Sequence, residues 1–195
     1  PIFLNSLLRD EPNFRSVASL FTIHNIGYQG LFWHLDMHLT NLPWDLFQPE
    51  GIEYYGKIHF LKAGIIGADV INTVSLRYAK EIQTSEFGCG MEGILRKRAD
   101  RLYGVLNGVD YDEWNPATDR YIPHHYDGRD LDGKARNREA LLDLLRMAAP
   151  PMVPVVGMVT RLTRQKGLDL LYDPLPELLE TGALRLVALG SGEPH

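Results

Sequence analysis

Apolar and polar residues alternate along this 195-residue chain in blocks that predict a parallel α/β sheet. Short apolar runs rich in β-branched residues predict strands, and the helically spaced stretches between them predict helices. The last two predicted strands are almost continuously apolar, which is typical of strands covered on both faces. The predicted strands are Val17–Ile23, Ala68–Val74, Leu102–Leu106, Val153–Val159 and Leu184–Leu189. The predicted helices are Lys57–Ile66, Leu76–Thr84, Lys134–Arg146, Gly167–Tyr172 and a helix around Leu175–Glu180.

The middle of the chain is polar and rich in turn residues, which predicts a boundary between two α/β domains. We expect a first domain over residues 1–106, a connector over 107–130 and a second domain over 131–195. Such a connector is a natural wall for a ligand cleft. The last strand runs into a short glycine-rich end, and the first residue is not methionine. We therefore expect a piece of a longer protein in which both domains are incomplete.

Composition narrows the class of protein. The net charge of −5 argues against nucleic acid or an anionic membrane as a partner, and no apolar run reaches the roughly 20 residues that cross a bilayer. The one cysteine, Cys89, cannot form an intrachain disulfide, which favours a reducing compartment. The adjacent pair His124-His125 points its side chains apart, and there is no thiolate cluster, phosphate-loop motif or GxSxG elbow. The residues therefore indicate neither a metal nor a cofactor.

The segment Leu20–Gly30 ends a predicted strand at His24 and continues into a loop with two glycines. Ligands of α/β proteins bind at the carboxyl ends of parallel strands, so His24 could donate a hydrogen bond to a sugar hydroxyl or a carbonyl. A histidine that is simply hydrogen-bonded at a strand end explains the same pattern. On spacing alone that second interpretation is favoured.

Arg161 and Lys166 lie between the fourth predicted strand and the predicted helix at Gly167. Two cations beside the amides of a helix start predict a pocket for a phosphate or diphosphate. A solvated basic loop, with Arg164 as its third cation, fits the residues equally well.

Three further loops carry weaker signals. Asn107 precedes Gly108 after the third strand and can offer a sugar both a donor and an acceptor, although an ordinary Asn-Gly turn is favoured. The glycine-rich loop Gly88–Gly93 could be a mobile lip of an active site, although a plain surface connection is favoured. The run Gly190-Ser191-Gly192 begins like a dinucleotide fingerprint but lacks its third glycine and acidic residue.

The chain resembles glycogen and starch synthases in six consecutive blocks, from about Ser19 to Glu193. The blocks are LFTIHNIGYQGLF, KAGIIGADVINTVSLRYAKEIQT, GMEGIL, RLYGVLNGVDYDEWNPATD, GKARNREALL and GMVTRLTRQKGLDLL. The resemblance implies the GT-B glycosyltransferase fold, with two Rossmann-like domains that face each other across a cleft. It also implies transfer of glucose from ADP-glucose, or from UDP-glucose, to the non-reducing end of an α-1,4-glucan. The reaction would retain anomeric configuration and need no metal or other cofactor.

The same resemblance implies roles for four residues. His24 would contact the donor glucose and the reaction centre, and Asn107 would help line the sugar site. Arg161 and Lys166 would hold the donor diphosphate and stabilise its charge as it leaves. No acidic residue is an obvious nucleophile, which fits the front-face mechanism usually proposed for retaining GT-B enzymes. The family implies a cytoplasmic enzyme in a bacterium, or a plastid enzyme in a plant.

The chain departs from the family at both ends. It lacks the amino-terminal K-x-G-G-L motif and the downstream acidic, glycine-rich segment, so we expect this stretch alone to be inactive. Two other classes stay open. A non-catalytic glucan-binding or scaffolding module would keep the fold without turnover, and a Rossmann-type oxidoreductase is suggested only by Gly190-Ser191-Gly192.

Overall fold

The structure, a computed structural model, describes residues 1–192 and divides into two compact units, residues 1–108 and the part that begins at Val109. The helices of the first unit are α1 (Ile2–Asn5), α2 (Phe60–Gly67), α3 (Leu76–Glu81) and α4 (Glu92–Lys97). Its strands are β1 (Leu20–Ile23), β2 (Leu31–Trp33), β3 (Glu53–Tyr54), β4 (Lys57–His59), β5 (Val70–Thr73) and β6 (Leu102–Gly104).

The centre of the first unit is a sheet in the order β1-β5-β6. Its strands are parallel, as the apolar runs predicted. Ile23 pairs with Thr73, and Thr73 pairs with Gly104, so the three strands end in the same row. Isoleucine and leucine side chains from the sheet and from α2, α3 and α4 form one buried core. Its most buried members are Ile23, Ile65, Ile71, Ile82, Met91 and Leu95.

The amino-terminal ends of β1 and β5 are joined at Ser19 and Asp69. The Asp69 carboxylate accepts hydrogen bonds from the Ser19 backbone N–H at 2.7 Å and from its hydroxyl at 2.8 Å. The Ser19 carbonyl in turn accepts from the backbone N–H groups of Asp69 and Val70, each at 3.1 Å. These bonds set the register in which β1 and β5 pair.

The predicted helix Lys57–Ile66 is wrong in its first three residues, which form strand β4. This strand lies in an antiparallel sheet, in the order β2-β4-β3, that the sequence did not predict. Tyr55 and Gly56 link β3 to β4 with φ angles of 47° and 77°. Two successive positive φ angles are the conformation of a tight hairpin turn, and this turn directly precedes the residues that were predicted to start the helix.

The second unit contains α5 (Asp132–Leu144), α6 (Pro174–Glu180), β7 (Val155–Val159) and β8 (Arg185–Leu189). β7 and β8 pair in parallel, as predicted. Both were expected to be covered on both faces, but Val159 is 81% exposed and Leu189 is 68% exposed. Val159 and Leu189 are the last residues of their strands, and the expected cover is absent there.

One other prediction about the second part of the chain differs from the structure. The predicted helix Gly167–Tyr172 is a 3₁₀ turn, Leu168–Leu171, which Gly167 precedes with a φ of 74°. Residues 109–130, expected to belong to a connector, lie within the second unit. The Asn137 side chain on α5 bonds to both the backbone N–H and the carbonyl of His124, at 3.1 and 2.6 Å. That 107–130 connects two domains, with boundaries at 106 and 131, stays a prediction.

Candidate functional site

His24 is the first residue after β1, at the carboxyl edge of the parallel sheet. Before His24, the buried hydroxyl of Thr73 donates to the Ile23 carbonyl at 2.7 Å. After it, the backbone N–H of Ile26 donates to the Tyr78 hydroxyl at 3.1 Å, and the Ile26 side chain is buried. The backbone is therefore held on both sides of an exposed imidazole. Within the described part of the chain no residue hydrogen-bonds to the His24 ring, so the ring can meet a ligand.

The loop after His24 is tied to the start of α2. The carbonyls of Gln29 and Gly30 accept from the backbone N–H groups of Leu61 and Phe60, each at 3.0 Å. These are donors that a helix start otherwise leaves unsatisfied. Gly30 has a φ of 62°, and a Cβ there would lie 3.1 Å from the Phe60 Cβ, so the close approach favours glycine.

The glycine-rich segment Gly88–Gly93 turns tightly after α3 and runs into the first two residues of α4. Met91 is fully buried and its N–H bonds to the Gly88 carbonyl at 2.9 Å, while Cys89 and Gly90 have φ angles of 50° and 84°. The Gln29 side chain donates to the Cys89 carbonyl at 2.8 Å. The loop is thus joined to the loop that carries His24.

Asn107 lies three residues beyond β6 and is exposed. The Val105 N–H donates to the Thr73 carbonyl at 2.8 Å, which extends the pairing of β6 with β5 by one residue. No hydrogen-bonded turn is formed at Asn107-Gly108 in the described chain, contrary to the favoured local interpretation. His24 and Asn107 thus follow the two strands that flank β5.

Arg161 and Lys166 follow β7 in the second unit, and both side chains are exposed. The neighbouring backbone pairs with the segment after β8: Thr160 donates to Leu189 at 3.1 Å and Leu162 to Ser191 at 2.7 Å. A Cβ at Gly190 would lie 2.0 Å from the Thr160 carbonyl oxygen, so this glycine is required by the close approach of two backbones. The α-helix start expected beside the cations is replaced by short 3₁₀ turns, Arg164–Lys166 and Leu168–Leu171.

An apolar cavity of about 650 Å³ lies elsewhere in the first unit. Its lining includes Phe21, Phe32 and Phe60, with Asp36 as a charged member. His24 and Asn107 do not line it. The cavity is therefore separate from the carboxyl edge of the sheet.

The described residues contain no group of three or more His, Cys, Asp and Glu side chains arranged to hold a metal ion. None of the helices in this described part of the chain has the length and apolar character that a membrane span requires.

Three residues that the sequence analysis did not single out are linked by hydrogen bonds to one another: Gln29, in the loop that carries His24, and His59 and Lys62. His59 and Lys62 are 0% and 4% exposed, although both are polar. Gln29 stands inside the YQG motif, whereas His59 and Lys62 lie within a stretch that read as an ordinary helix. Histidine is not among the usual helix-capping residues, so the sequence carried no signal for the cap that His59 forms on α2.

The chain is similar in sequence to known glycogen and starch synthases. The model of the starch synthase catalytic domain matches residues 1–97. The chain is 48% identical to glycogen synthase 2 of Geobacter sulfurreducens, over 98% of this chain and 40% of that protein. It is 47% identical to glycogen synthase of Thermosipho africanus, over 99% of this chain and 40% of that protein. The chain therefore spans about two fifths of the length of these curated relatives.

A solved structure, the catalytic domain of starch synthase IV from Arabidopsis thaliana bound to ADP and acarbose, matches with a TM-score of 0.89. The match has 33% sequence identity and covers 99% of this chain and 41% of that one. The fold is accordingly that of a GT-B glycosyltransferase, of which this chain covers a part. Within that class the chain belongs to the glycogen and starch synthase family.

Proposed function

We propose that the full-length protein is a retaining glucosyltransferase that moves glucose from ADP-glucose to the non-reducing end of an α-1,4-glucan. The observation that carries the proposal is the likeness to starch synthase IV, whose structure holds ADP and acarbose, a nucleotide and a glucan mimic. Bacterial relatives named glycogen synthase support the same reaction. ADP-glucose rather than UDP-glucose is the proposed donor because the neighbour's nucleotide is ADP.

In this proposal the first unit supplies the sugar contacts. His24 is exposed at the carboxyl edge on a backbone held by Thr73 and Tyr78, so its imidazole can donate to donor glucose with little loss of freedom. Asn107, beyond β6, offers both a donor and an acceptor and would help line the sugar site.

The second unit supplies positive charge. Breaking the bond between glucose and the diphosphate leaves negative charge on the phosphate oxygens, and cations held in place act most strongly where charge develops. Arg161 can grip two phosphate oxygens with its planar guanidinium, while Lys166 supplies a point charge. Gly190 supports this arrangement because its lack of a side chain lets the segment after β8 pack against the segment that carries Arg161.

We also propose that the protein works in a reducing compartment such as the bacterial cytoplasm. The curated relatives at 45–48% identity are bacterial, and the chain has one cysteine, the exposed Cys89. An exposed thiol of this kind is kept reduced in the cytoplasm.

The test compares Lys166→Ala and Arg161→Lys with the full-length wild type. If the cations stabilise a leaving diphosphate, Lys166→Ala should lower kcat with ADP-glucose about a hundredfold or more, the range for losing one positioned group in a transition state. Arg161→Lys should also lower kcat because a forked contact becomes a single one. Affinity for glycogen, measured by affinity electrophoresis, should stay within about twofold because a neutral polymer has no phosphate to hold.

Arg136 on α5 provides the matched control, since it is an exposed cation in the same unit. Arg136→Ala and Arg136→Lys should leave kcat unchanged. If Lys166→Ala and Arg161→Lys both keep the wild-type kcat, the proposal that these residues hold the donor diphosphate is wrong. Glycogen binding with no transfer from ADP-glucose or UDP-glucose by the wild type would instead favour the non-catalytic glucan-binding module.

A further inference from the structure

A directed chain of hydrogen bonds joins three segments of the first unit. The Lys62 backbone N–H donates to His59 Nδ1 at 3.1 Å, and His59 Nε2 lies 3.1 Å from Gln29 Oε1. The Gln29 amide then donates from Nε2 to the Cys89 carbonyl at 2.8 Å. The chain connects α2, the loop after His24 and the glycine-rich loop.

The three bonds allow one direction of donation. His59 Nδ1 accepts from a backbone N–H, so its ring proton resides on Nε2 and is donated to Gln29 Oε1. The Gln29 amide group then faces the Cys89 carbonyl with its donors. Each group has the partner that its chemistry requires, and a change of any one member leaves a neighbour unsatisfied.

Burial, a helix-cap hydrogen bond and a ring contact hold His59 in place. It is fully buried, it caps α2, and its ring meets the Tyr54 ring edge-on with the centroids 4.9 Å apart. Burial and the nearby Lys62 ammonium lower the pKa of His59, which keeps the ring neutral at pH 7. The Lys62 ammonium donates to the carbonyls of Pro49 and Glu53, at 2.5 and 2.6 Å, and is thereby held by its own partners.

Gln29 is the member of the chain that joins the two loops. It belongs to the loop that starts at His24, and its side chain reaches the glycine-rich loop across 60 positions of sequence. Cys89, which receives its hydrogen bond, has a φ of 50°, a conformation that a non-glycine residue holds only when its surroundings support it.

We propose that Gln29 is a positioning residue: oriented by His59, it locks the His24 loop to the loop at Cys89, so that His24 is held in its working position. The inference rests on the proposed function for its kinetic consequence, because His24 is the group that would contact the donor sugar. The link between the two loops is a property of the protein without substrate.

The test uses Gln29→Met in the full-length protein, which keeps the length of the side chain and removes its donor and acceptor. Loosening of the His24 loop should lower kcat for transfer from ADP-glucose by about tenfold to a hundredfold, the scale of a misplaced reacting group. The KM for ADP-glucose should stay within about twofold, because a positioning residue acts through His24 and not through its own contact with the donor. Amide hydrogen exchange should become faster in the peptide that covers Gly88–Met91.

The matched control is Gln83→Met. Gln83 also donates from its side-chain amide to a backbone carbonyl, that of Ala79 at 2.8 Å, but it joins no second loop. This variant should keep wild-type kcat and wild-type exchange at Gly88–Met91. A loss of kcat in Gln83→Met equal to that in Gln29→Met would overturn the proposal.

A second variant removes the other end of the link. His59→Asn can still accept from the Lys62 N–H as a helix cap, but its shorter side chain does not reach Gln29. It should lower kcat as much as Gln29→Met, and the double variant should lose no more than either single variant. Additive losses, or normal kcat in Gln29→Met, would overturn the positioning role. If the wild type transfers no glucose, the proposed function fails. Unchanged amide exchange at Gly88–Met91 in Gln29→Met would overturn the link between the two loops, whatever the activity of the protein.

Discussion

Replacing Gly90 with alanine should destabilise the first unit through one identifiable atom. Gly90 has a φ of 84°, and a Cβ there would lie 2.2 Å from the Tyr54 hydroxyl oxygen and 3.4 Å from the ring carbon that bears it. The hydroxyl is therefore in severe overlap, whereas the ring itself would be at ordinary contact distance.

The Tyr54 ring has little room to move away. It packs edge-on against Tyr55, with centroids 4.7 Å apart, and against His59 at 4.9 Å. The strain of a non-glycine residue in this backbone region costs about 1 to 2 kcal/mol. Overpacking against a fixed neighbour adds about 1 to 3 kcal/mol, so Gly90→Ala should lower the free energy of unfolding by about 2 to 5 kcal/mol.

Tyr54→Phe separates the two contributions because it removes only the overlapping oxygen. Burial, followed by Tyr55 and Glu92, raises the pKa of Tyr54, so the phenol is neutral at pH 7 and its removal changes no charge. Gly90→Ala in the Tyr54→Phe background should therefore cost only the backbone strain. The double-mutant cycle should give a coupling free energy of about 1 to 3 kcal/mol.

Urea unfolding followed by tryptophan fluorescence measures this cycle. Trp33 and Trp44 belong to the first unit and Trp114 to the second, so a Trp114→Phe background makes the signal specific. The slope of free energy against urea should be the same in all four proteins. A coupling free energy near zero would refute the reasoning, because the cost of alanine would then not come from the Tyr54 hydroxyl.

Two further predictions concern the sheet edges. His24→Ala in the full-length protein should lower glucosyl transfer at least about a hundredfold with an unchanged melting temperature, and near-normal turnover would return His24 to a structural role. Hydrogen bonds from the Ser19 backbone and hydroxyl lower the pKa of Asp69, so its stabilising effect is full above the ordinary carboxyl pKa of 3.8 and is lost as the pH falls through the folded-state value. Asp69→Asn should therefore be less stable than wild type at pH 7, with the gap closing in acid; a gap that is independent of pH in urea titrations from pH 7 to pH 2.5 would contradict this.

The sequence by itself determined the parts of the molecule that depend on local pattern. Apolar, β-branched runs predicted β1, β5 and β6, because a strand covered by helices needs such residues along most of its length. The end of the first run at His24 predicted a residue at the carboxyl edge of a parallel sheet. The motif blocks predicted the family, which the comparisons confirm.

Tertiary structure decided what depends on residues far apart in the chain. The antiparallel β2-β4-β3 sheet has strands of two or three residues, which are too short to show a hydrophobic period. The turn between β3 and β4 depends on positive φ angles at Tyr55 and Gly56. The link from His59 through Gln29 to Cys89 spans 30 and 60 positions of sequence. Local pattern reports which face of an element is apolar, whereas such contacts arise only when the register of Ile23 with Thr73 and the packing of α2 bring separate segments together.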